Sequence, residues 1–390
     1  MLQHIFLYIQ YFFLLFLTIQ VGYLLIFSFA ALFSNAPKFP PAQLLRRIKI
    51  LIPGYKEDAV IIATAIDALN QNYPIHLFEI VIIADSFSVD TLNKLRSLPI
   101  KVIEVKFEKS TKGKALQKAL EILSINAVEI VIVLDADNHM AQGFLHEVNN
   151  AFAVGYEVVQ GHRTAKNKEN SFAFLDACTE EINNHIFRRG HNALGLPSAL
   201  IGSGMAFDWK LFASLMHNIS DTAGEDKEME FRIIRQGKNI IFLDGAYIYD
   251  EKVHKSQVFS KQRSRWLAVQ AEYFTKYFLE GWRQLLKGNF SFFEKTFQMY
   301  LLPRVILVGL INVWLLCTIL FFPHLIIYTI CLVVSLAVSL FLGIPIKWFN
   351  KQLLLAFLQI PSALFSMLRA MVYSGKAKKT FIHTPHGEIN

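Results

Sequence analysis

Long apolar segments stand at both ends of this 390-residue chain, and they constrain its fold more than any other feature. Residues 5–33 are almost unbroken apolar sequence, and so are residues 300–322 and 325–344. Each is long enough to cross a hydrocarbon core of about 30 Å as a helix rising about 1.5 Å per residue. Because only Pro323 and His324 separate the last two, they predict a transmembrane hairpin. The chain is therefore expected to be an integral protein of a lipid bilayer.

The first apolar segment is expected to remain as an uncleaved anchor. A secretory signal would need a basic start and a shorter apolar core, whereas here only His4 precedes the segment as a polar titratable residue. The basic residues that follow it are Lys38, Arg46, Arg47 and Lys49. Since positive charge collects on the cytoplasmic side, the next domain is predicted to be cytoplasmic, at a plasma or inner membrane.

The pattern divides the chain into five predicted regions. They are an anchor at 1–36, a cytoplasmic α/β domain at 37–268, interfacial helices at 269–299, a transmembrane hairpin at 300–345, and a membrane-associated apolar helix with a basic cytoplasmic tail at 346–390. Within the last region, Pro361 and Arg369 interrupt residues 353–373. This stretch is therefore expected to lie in the membrane interface if the tail is cytoplasmic.

In the middle domain, strand-like apolar runs alternate with helical patterns. The predicted strands are 49–53, 79–84, 100–105 and 128–134, and the predicted helices include 59–70 and 113–124. This alternation is typical of a mostly parallel sheet covered by helices on both faces. In such sheets, ligands bind beyond the carboxyl ends of the strands, which is where polar residues of this chain are concentrated.

Carboxylates follow several of these strands. Asp135 and Asp137 come after the buried run 128–134, and while the chain stays extended their side chains point to the same side. Two such oxygens can bind a hard cation, Mg²⁺ or Mn²⁺. The alternative is a solvated turn, where Asp is common. Further carboxylates at comparable positions favour a site; they are Glu57, Asp58, Asp85, Glu225 and Asp226.

Two basic segments carry a second signal. Lys112 and Lys114 open a predicted helix, where positive charge opposes the helix dipole unless an anion is near; the alternative is a solvated loop. Gln262, Arg265 and Trp266 share one helical face, which suits a diphosphate and a sugar ring, or else a basic-aromatic membrane anchor. The net charge of +8 fits phosphate handling or anionic lipid.

Other classes of protein find little support. No basic stripe interleaved with aromatic residues indicates nucleic-acid binding. The three cysteines, Cys178, Cys317 and Cys331, have neither disulfide-framework nor zinc spacing. A transporter is disfavoured because no ionisable residue lies within either apolar segment of the hairpin.

Taken together, the motifs resemble the family 2 glycosyltransferases, in particular the membrane-bound branch that includes cellulose synthase, hyaluronan synthase and poly-N-acetylglucosamine synthase. Their order also matches that family: the IPGYKED segment at 52–58, Asp85, the KGKAL segment at 112–116, the DAD segment at 135–137, the IGSGM segment at 201–205, the GED segment at 224–226, and Gln262, Arg265 and Trp266. The resemblance implies a GT-A-type, Rossmann-like α/β nucleotide-sugar transferase domain flanked by transmembrane and interfacial helices.

The resemblance also implies a role for each motif. It gives donor binding to Pro53, Tyr55, Glu57, Asp85, Lys114, Asp135 and Arg265, metal binding to Asp135 and Asp137, catalysis to Asp226 as general base with Glu225, and acceptor contacts to Gly202, Ser203, Gly204, Gln262 and Trp266. One departure concerns the nucleoside end, because Val89 stands where the family often has a second carboxylate. Asp90 is the candidate to replace it through a register shift.

The implied reaction is an inverting, metal-dependent transfer from a nucleotide sugar, with a UDP-sugar expected as donor. A growing β-linked polysaccharide is the first expected acceptor, and a lipid that receives one sugar, as for ceramide glucosyltransferases, is the second. The small number of apolar segments counts against the polysaccharide acceptor, since a polymer would need a channel formed by such segments. A regulatory protein without activity is disfavoured because Asp135, Asp137, Asp226 and Trp266 are all present. Whether a partner exports the product is left open.

Overall fold

A computed structural model of the chain describes residues 2–34, 37–123, 128–217, 219, 224–251 and 256–377. For residues 2–6, 256–262 and 372–377 it describes the backbone only. The predicted basic tail therefore lies largely outside the described residues, and so does the segment from His383 to His386.

A mixed sheet forms the centre of the middle domain. Its strands are β1 Ile48–Tyr55, β2 Phe78–Asp85, β3 Lys101–Val105, β4 Ile130–Val133, β5 His139–Met140, β6 Val158–Ala165, β7 Met205–Asp208 and β8 Ile241–Asp250. In space their order is β3-β2-β1-β4-β7-β6-β8-β5. The first four strands are parallel, as predicted, whereas β7 runs antiparallel to both β4 and β6. Strand β8 is parallel to β6, and β5 is antiparallel to β8. Six of the eight strands therefore share one direction, as expected of a mostly parallel sheet, and only β7 and β5 run against them.

Helices cover both faces of this sheet, which explains why its strands read as continuous apolar runs. They are α2 Ile61–Leu69, α3 Val89–Arg96, α4 Lys112–Ile122, α5 Phe144–Ala153, α6 Ser171–Asn183, α7 His191–Ala193, α8 Trp209–Met216 and α9 Glu225–Arg235, with a π-helical segment Asn184–Gly190 between α6 and α7. Ile50 and Ile52 of β1 are buried on one face, and Leu51 is buried on the other. The strand ends are thereby held rigidly where a site can form.

The remaining helices are mostly apolar, and we call them the membrane region because three of their segments could cross a bilayer. They are α1 Leu2–Leu32, α10 Ser256–Leu286, α11 Phe290–Gln298, α12 Arg304–Phe321, α13 Ile326–Phe341, α14 Lys351–Phe357 and α15 Ile360–Ala377. Three helical segments, Leu7–Leu32, Arg304–Phe321 and Pro323–Phe341, are long and apolar enough to cross a membrane. The stretch predicted to be interfacial consists of two helices bent by 43°, which together pass the same test.

One predicted boundary is wrong. The break expected between residues 268 and 269 falls inside α10, which continues without interruption from Ser256 to Leu286. The Gln262–Trp266 motif therefore lies on the same rigid helix as the stretch predicted to be interfacial.

The first membrane helix is fixed to the rest of the protein by a buried polar cluster. The hydroxyl of Tyr23 in α1 contacts His191 Nε2 at 3.0 Å and donates to Glu294 Oε1 of α11. His191 Nε2 lies 3.0 Å from the same Glu294 oxygen. Since buried polar groups need partners, this cluster sets the position of α1 on the domain more specifically than apolar packing alone.

A turn before β7 depends on Gly204. This residue has φ +63°, and an added Cβ would lie 1.6 Å from Ile248 Cδ1. We expect Gly204→Ala to lower the free energy of unfolding by about 2–4 kcal/mol, because backbone strain adds to the steric clash. Thermal unfolding in detergent checks this result. Gly237→Ala is the control, with φ +69° but open space around it, and should cost only about 1 kcal/mol; equal losses for both variants would contradict the account.

Candidate functional site

A cavity of about 1010 Å³ extends from the carboxyl ends of β1, β2 and β4 into the space between the membrane helices. Most of the predicted site residues line it, namely Pro53, Tyr55, Glu57, Asp85, Asp135, Asp137, Gly202, Glu225, Asp226, Arg265 and Trp266. Ser203, Gly204 and Lys114 do not line it. The side chain of Gln262 lies outside the described residues.

One end of the cavity is formed by the exits of β1 and β2. Tyr55 and Asp85 are the last residues of these strands and pair in register, so they stand side by side. Asp85 is buried and accepts a hydrogen bond from Ser86 Oγ at 2.9 Å. The next residues, Lys56 and Ser86, have φ of +55° and +61°. Non-glycine residues in this region store strain and are concentrated at ligand sites.

Two neighbouring carboxylates face elsewhere. Asp90 pairs with Lys94 at 2.6 Å on the exposed side of α3, and it does not line the cavity. Asp90 therefore does not replace the carboxylate that the family often has at the position of Val89. Helix α3 begins at Val89 and directs the Asp90 side chain away from the cavity. Asp58 accepts a hydrogen bond from the Ser88 backbone N–H at 2.8 Å, which holds the two strand-exit loops together.

The pair Asp135 and Asp137 lines the middle of the cavity, but by a different route from the one predicted. The Asn138 N–H donates to the Asp135 carbonyl at 3.1 Å, so the chain turns after β4 instead of continuing as an extended strand. The fully buried Asn138 then donates from Nδ2 to Asp137 Oδ1 at 3.0 Å. A tight turn, fixed by Asn138, presents both carboxylates to the cavity.

Ser203 stabilises this turn through two hydrogen bonds of its hydroxyl group. Its Oγ accepts from the Asp135 N–H at 3.0 Å and donates to Asn138 Oδ1 at 2.6 Å. Ser203 is fully buried, and the carbonyl of Gly204 accepts from the Gly161 N–H at 2.8 Å. Of the three residues predicted to contact the acceptor in this segment, only Gly202 faces the cavity. The other two support the carboxylates, since the backbone turns inward after Gly202.

The donor set of this turn fits a hard divalent cation. Two carboxylates reach the cavity together, and hard cations favour oxygen ligands while leaving positions for diphosphate oxygens and water. Among the described residues, no group of three His, Cys, Asp or Glu side chains forms a complete metal cage. A cation here would therefore depend on oxygens from a bound nucleotide for the rest of its coordination.

The lysine that reaches the site is Lys112, not the predicted Lys114. Lys112 Nζ pairs with Asp135, donates to the Gly202 carbonyl at 2.6 Å and lies 3.9 Å from Glu225 Oε1. Burial opposes its charge, but the carboxylates of Asp135 and Glu225 outweigh burial and raise the pKa of Lys112. Lys114 Nζ donates instead to the Lys109 carbonyl at 3.1 Å. Residues two apart on a helix point in nearly opposite directions, so only one of them can face inward.

Two adjacent carboxylates open α9 at the cavity wall. Asp226 Oδ1 accepts the Lys227 N–H at 2.8 Å, and the helix N-terminus favours its negative charge. Burial raises the pKa of Glu225 to about 7, with the Lys112 cation opposing this shift and the charge of Asp226 adding to it. Glu225 is therefore partly protonated at neutral pH.

Helix α10 supplies the remaining predicted residues. Arg265 and Trp266 both line the cavity, and the indole of Trp266 is 37% exposed. Arg263, which the motif does not include, stacks its guanidinium 4.3 Å from the Trp266 ring centroid and pairs with Asp176. The indole is thereby held at the cavity wall with part of its surface accessible.

A buried ion cluster joins β6, α6 and β8 beside the cavity. His162 Nε2 lies 3.0 Å from Glu181 Oε2, and its Nδ1 lies 3.1 Å from Asp244 Oδ1. Burial disfavours the charged ring, but the hydrogen bonds to Asp244 and Glu181 outweigh it and raise the pKa of His162 to about 9. His162 is thus positively charged at neutral pH. It fixes β6 and α6 beside the cavity without lining it, whereas the adjacent Arg163 does line it.

The far end of the cavity lies between the membrane helices and is apolar apart from Asn312 of α12. It is lined there by Val305, Val308, Ile311, Val333, Leu336, Ala337, Leu340, Phe341, Ile344, Phe357, Ile360 and Met367. These side chains come from α12, α13, α14, α15 and the turn that follows α13. A polar site beyond the sheet and an apolar space within the membrane region are therefore parts of the same cavity.

Comparison with known proteins defines the class of the chain. The profile of the family described as "Glycosyl transferase family group 2" matches residues 130–345, more than half of the chain. The solved structure of the mannosyltransferase PcManGT from Pyrobaculum calidifontis, in complex with GDP-Man and Mn²⁺, has a TM-score of 0.57 at 16% identity. The likeness covers 94% of this chain and 99% of that one, and it confirms the predicted GT-A-type fold. The chain belongs to glycosyl transferase family group 2, as the motifs indicated.

Two curated relatives are similar over two thirds of the chain. The β-monoglucosyldiacylglycerol synthase of Trichormus variabilis is 27% identical over 271 residues, which are 66% of this chain and 56% of that protein. The probable glycosyltransferase YdaM of Bacillus subtilis is 22% identical, with 68% of this chain and 66% of that protein covered. The chain thus spans little more than half the length of the first of these relatives.

Proposed function

We propose that this glycosyltransferase moves one sugar from a nucleotide sugar to a hydroxyl group of a membrane lipid, with inversion at the anomeric carbon. The observation that carries the proposal is the continuity of the cavity from Asp226 to the apolar space between α12, α13 and α15. A growing polysaccharide, the first expectation from the sequence, would need a polar or aromatic path, whereas the lining within the membrane region is apolar apart from Asn312 and includes only two aromatic side chains, Phe341 and Phe357. The synthase named above makes, by its name, a β-monoglucosyldiacylglycerol, which also supports a lipid acceptor.

In this proposal the nucleotide sugar, with a UDP-sugar expected, occupies the end formed by the strand exits. Tyr55, Glu57 and Asp85 border its nucleoside, and Pro53 shapes the wall beside it. Lys112 and Arg265 offer charge-assisted hydrogen bonds to its diphosphate. A Mg²⁺ or Mn²⁺ ion would be held by Asp135 and Asp137, and when bound it neutralises charge on the diphosphate. Lys112 takes the place that the sequence analysis gave to Lys114.

Asp226 acts as general base in this scheme. The acceptor hydroxyl oxygen bonds to the anomeric carbon, its proton passes to the Asp226 carboxylate, and the bond from that carbon to the diphosphate oxygen breaks. The nucleoside diphosphate leaves with the bonding electrons, and a single displacement inverts the configuration. The adjacent Glu225, whose pKa burial raises to about 7, is the alternative base.

The acceptor lies on the other side of Asp226. Trp266 and the backbone at Gly202 border the reacting hydroxyl, and Gln262 is proposed to help through the same helical face. The lipid tails extend between α12 and α13, in the bilayer that the apolar helices occupy. This arrangement needs the catalytic domain at the cytoplasmic face of the membrane, where nucleotide sugars are available, and it requires no export partner.

Blocking the apolar end of the cavity tests the lipid path. Ala337 of α13 lines this end, so Ala337→Trp is expected to lower lipid glycosylation at least about tenfold, because tails lose the space that they fill. Binding of the nucleoside diphosphate should change less than about twofold, since its site lies at the opposite end. Labelled sugar in extracted lipid is measured for transfer, and calorimetry in nanodiscs for nucleotide binding.

The matched control is Val334→Trp, one turn earlier on α13, where the side chain is 54% exposed. This variant should transfer sugar like the unmodified protein. If Ala337→Trp also leaves transfer unchanged while it folds and binds nucleotide normally, the acceptor does not pass between these helices, and the lipid proposal is wrong.

A further inference from the structure

Four arginine side chains meet where the cavity passes from its carboxylate end into the membrane region. Arg163 comes from β6, Arg188 from the π-helical segment, Arg263 from α10 and Arg304 from the start of α12. All four line the cavity. We call these residues the arginine cluster. Four separate elements bring them to one place, and none of the four belongs to the predicted set of site residues.

The arginine cluster carries more positive charge than the carboxylates that it contacts. Arg163 Nη2 lies 2.9 Å from Glu180 Oε2, and Arg188 Nη1 lies 3.3 Å from the other oxygen of the same carboxylate. Arg263 pairs with Asp176. Asp250, 4.0 Å from Arg163, is the only further carboxylate in ion-pair contact with the cluster among the described residues. Within ion-pair distance, four guanidinium groups thus face three carboxylates, and Glu181 and Glu230 act on Arg188 from farther away.

Arg304 is the member whose charge is not balanced. It donates from Nη2 to the Thr179 carbonyl at 3.2 Å, and no carboxylate of the described part of the chain lies within ion-pair distance of it. Its buried Nη1 finds no hydrogen-bond partner among the described residues. A buried guanidinium N–H without a partner is costly, which makes an anionic ligand the natural complement.

The position of Arg304 along the cavity limits what this anion can be. Arg304 is the first residue of α12, and the neighbours that line the cavity after it are Val305 and Val308. On the other side, Arg163 connects the cluster to Asp250, near the turn of Asp135 and Asp137. The anion therefore lies between the reacting hydroxyl and the apolar space. In a membrane lipid, that is the place of a phosphate.

We infer that the arginine cluster binds the phosphate of the acceptor, which is a glycerophospholipid with a free headgroup hydroxyl. The inference rests on the proposed lipid acceptor and narrows it, because neutral diacylglycerol offers no charge to Arg304. Tails fill the apolar end, the phosphodiester receives charge-assisted hydrogen bonds from Arg304 and Arg263, and the headgroup hydroxyl reaches Asp226. The phosphate takes part in no covalent step. The bonds that form and break are those of the sugar transfer described above.

The test compares two acceptors in the full-length protein. Nanodiscs of phosphatidylcholine, which lacks a hydroxyl, receive either phosphatidylglycerol or diacylglycerol with the same tails, over a concentration series. The unmodified protein is expected to use phosphatidylglycerol at least about tenfold better at limiting lipid. Arg304→Gln should lose at least about tenfold on phosphatidylglycerol and less than about twofold on diacylglycerol. Arg283→Gln, at a 70% exposed side chain of α10, is the control and should behave like the unmodified protein.

Two further measurements separate the possible sources of the anion. Calorimetry with the nucleoside diphosphate should show equal affinity for Arg304→Gln and the unmodified protein; a loss as large as that for lipid would assign the cluster to the donor. Soluble glycerol phosphate should compete with phosphatidylglycerol only weakly. If it competes as well as the lipid does, the ligand is a free phosphate and the inference is overturned.

The failure of this inference is distinguishable from that of the proposed function. Good transfer to diacylglycerol with none to phosphatidylglycerol overturns the phosphate subsite and leaves the lipid acceptor in place. An equal loss on both lipids in Arg304→Gln, with normal thermal unfolding, also overturns it, because a phosphate contact cannot affect diacylglycerol. No transfer to either lipid removes both proposals.

Discussion

Replacement of Asp226 by Asn is expected to lower kcat by about 10²–10⁴ while donor binding changes less than about threefold. The amide has nearly the shape of the carboxylate but cannot take the proton of the acceptor hydroxyl. Asp226 stands at the first turn of α9, where the Lys227 N–H holds one oxygen at 2.8 Å. The variant should therefore fold normally and lose only the proton transfer. Release of nucleoside diphosphate with saturating acceptor measures kcat, and calorimetry measures donor binding.

The adjacent Glu225 offers a matched comparison. Its pKa of about 7 means that near neutral pH roughly half of the population is already uncharged. Glu225→Gln should therefore cost less than about tenfold in kcat at pH 7, well below the loss for Asp226→Asn. Should the two variants exchange these effects, the base would be Glu225. Should Asp226→Asn retain full turnover, neither the base nor the position of the acceptor would be as proposed.

Loss of the metal is expected to have the second large effect. Removal of divalent cations with a chelator should abolish transfer, and Asp137→Asn should lower turnover at least about 100-fold at limiting Mn²⁺. The reason is that two carboxylates, on Asp135 and Asp137, supply the protein oxygens for the cation. The substitution weakens the binding of Mn²⁺ but leaves the other site residues in place. A higher Mn²⁺ concentration should therefore restore part of the activity. Turnover over a Mn²⁺ series measures this recovery.

Electron paramagnetic resonance of Mn²⁺ gives an independent readout. With nucleoside diphosphate present, the unmodified protein should bind Mn²⁺ and Asp137→Asn should bind it at least about tenfold more weakly. Asp90→Asn is the control, since Asp90 is exposed on α3 and paired with Lys94. Full activity in the presence of the chelator, with no Mn²⁺ signal from the protein, would show that this chain works without a metal.

The location of the site could be predicted from the sequence because strong local patterns specify it. Apolar runs fix β1, β2 and β4, and parallel strands end at the same edge, so Asp85 and Asp135 meet there. Helix α9 begins at Glu225, where acidic residues suit the N-terminus. The alternation of strands with helices and the charges at helix ends depend on residues close in sequence. They can therefore be recognised without knowledge of the tertiary contacts.

The finer geometry depends on contacts that the sequence does not display. The turn at Asp135 is closed by Asn138 and supported by Ser203, which lies 65 residues or more away along the chain. The choice of Lys112 over Lys114 depends on which side of α4 packs against Glu225. Such choices are made by tertiary packing, and a pattern of residue types does not encode them locally.

The space that we propose for the acceptor was the hardest feature to predict, for the same reason. The apolar end of the cavity is formed by helices from distant segments, α12, α13 and α15, and its connection to the strand exits passes α10. The sequence showed each helix but not the space between them. Arg304 illustrates the point: it is the first residue of an apolar helix, and only the fold shows that it lies on the cavity wall.

The most direct test of the central claim is the mass of the product. The purified protein in nanodiscs, supplied with a membrane lipid extract, Mn²⁺ and one nucleotide sugar at a time from a panel, should convert one of them into nucleoside diphosphate and a glycolipid. The account predicts a lipid whose mass increases by a single sugar, with no further additions as the reaction proceeds. A ladder of products that grows by successive sugars, or sugar polymer without attached lipid, would contradict it.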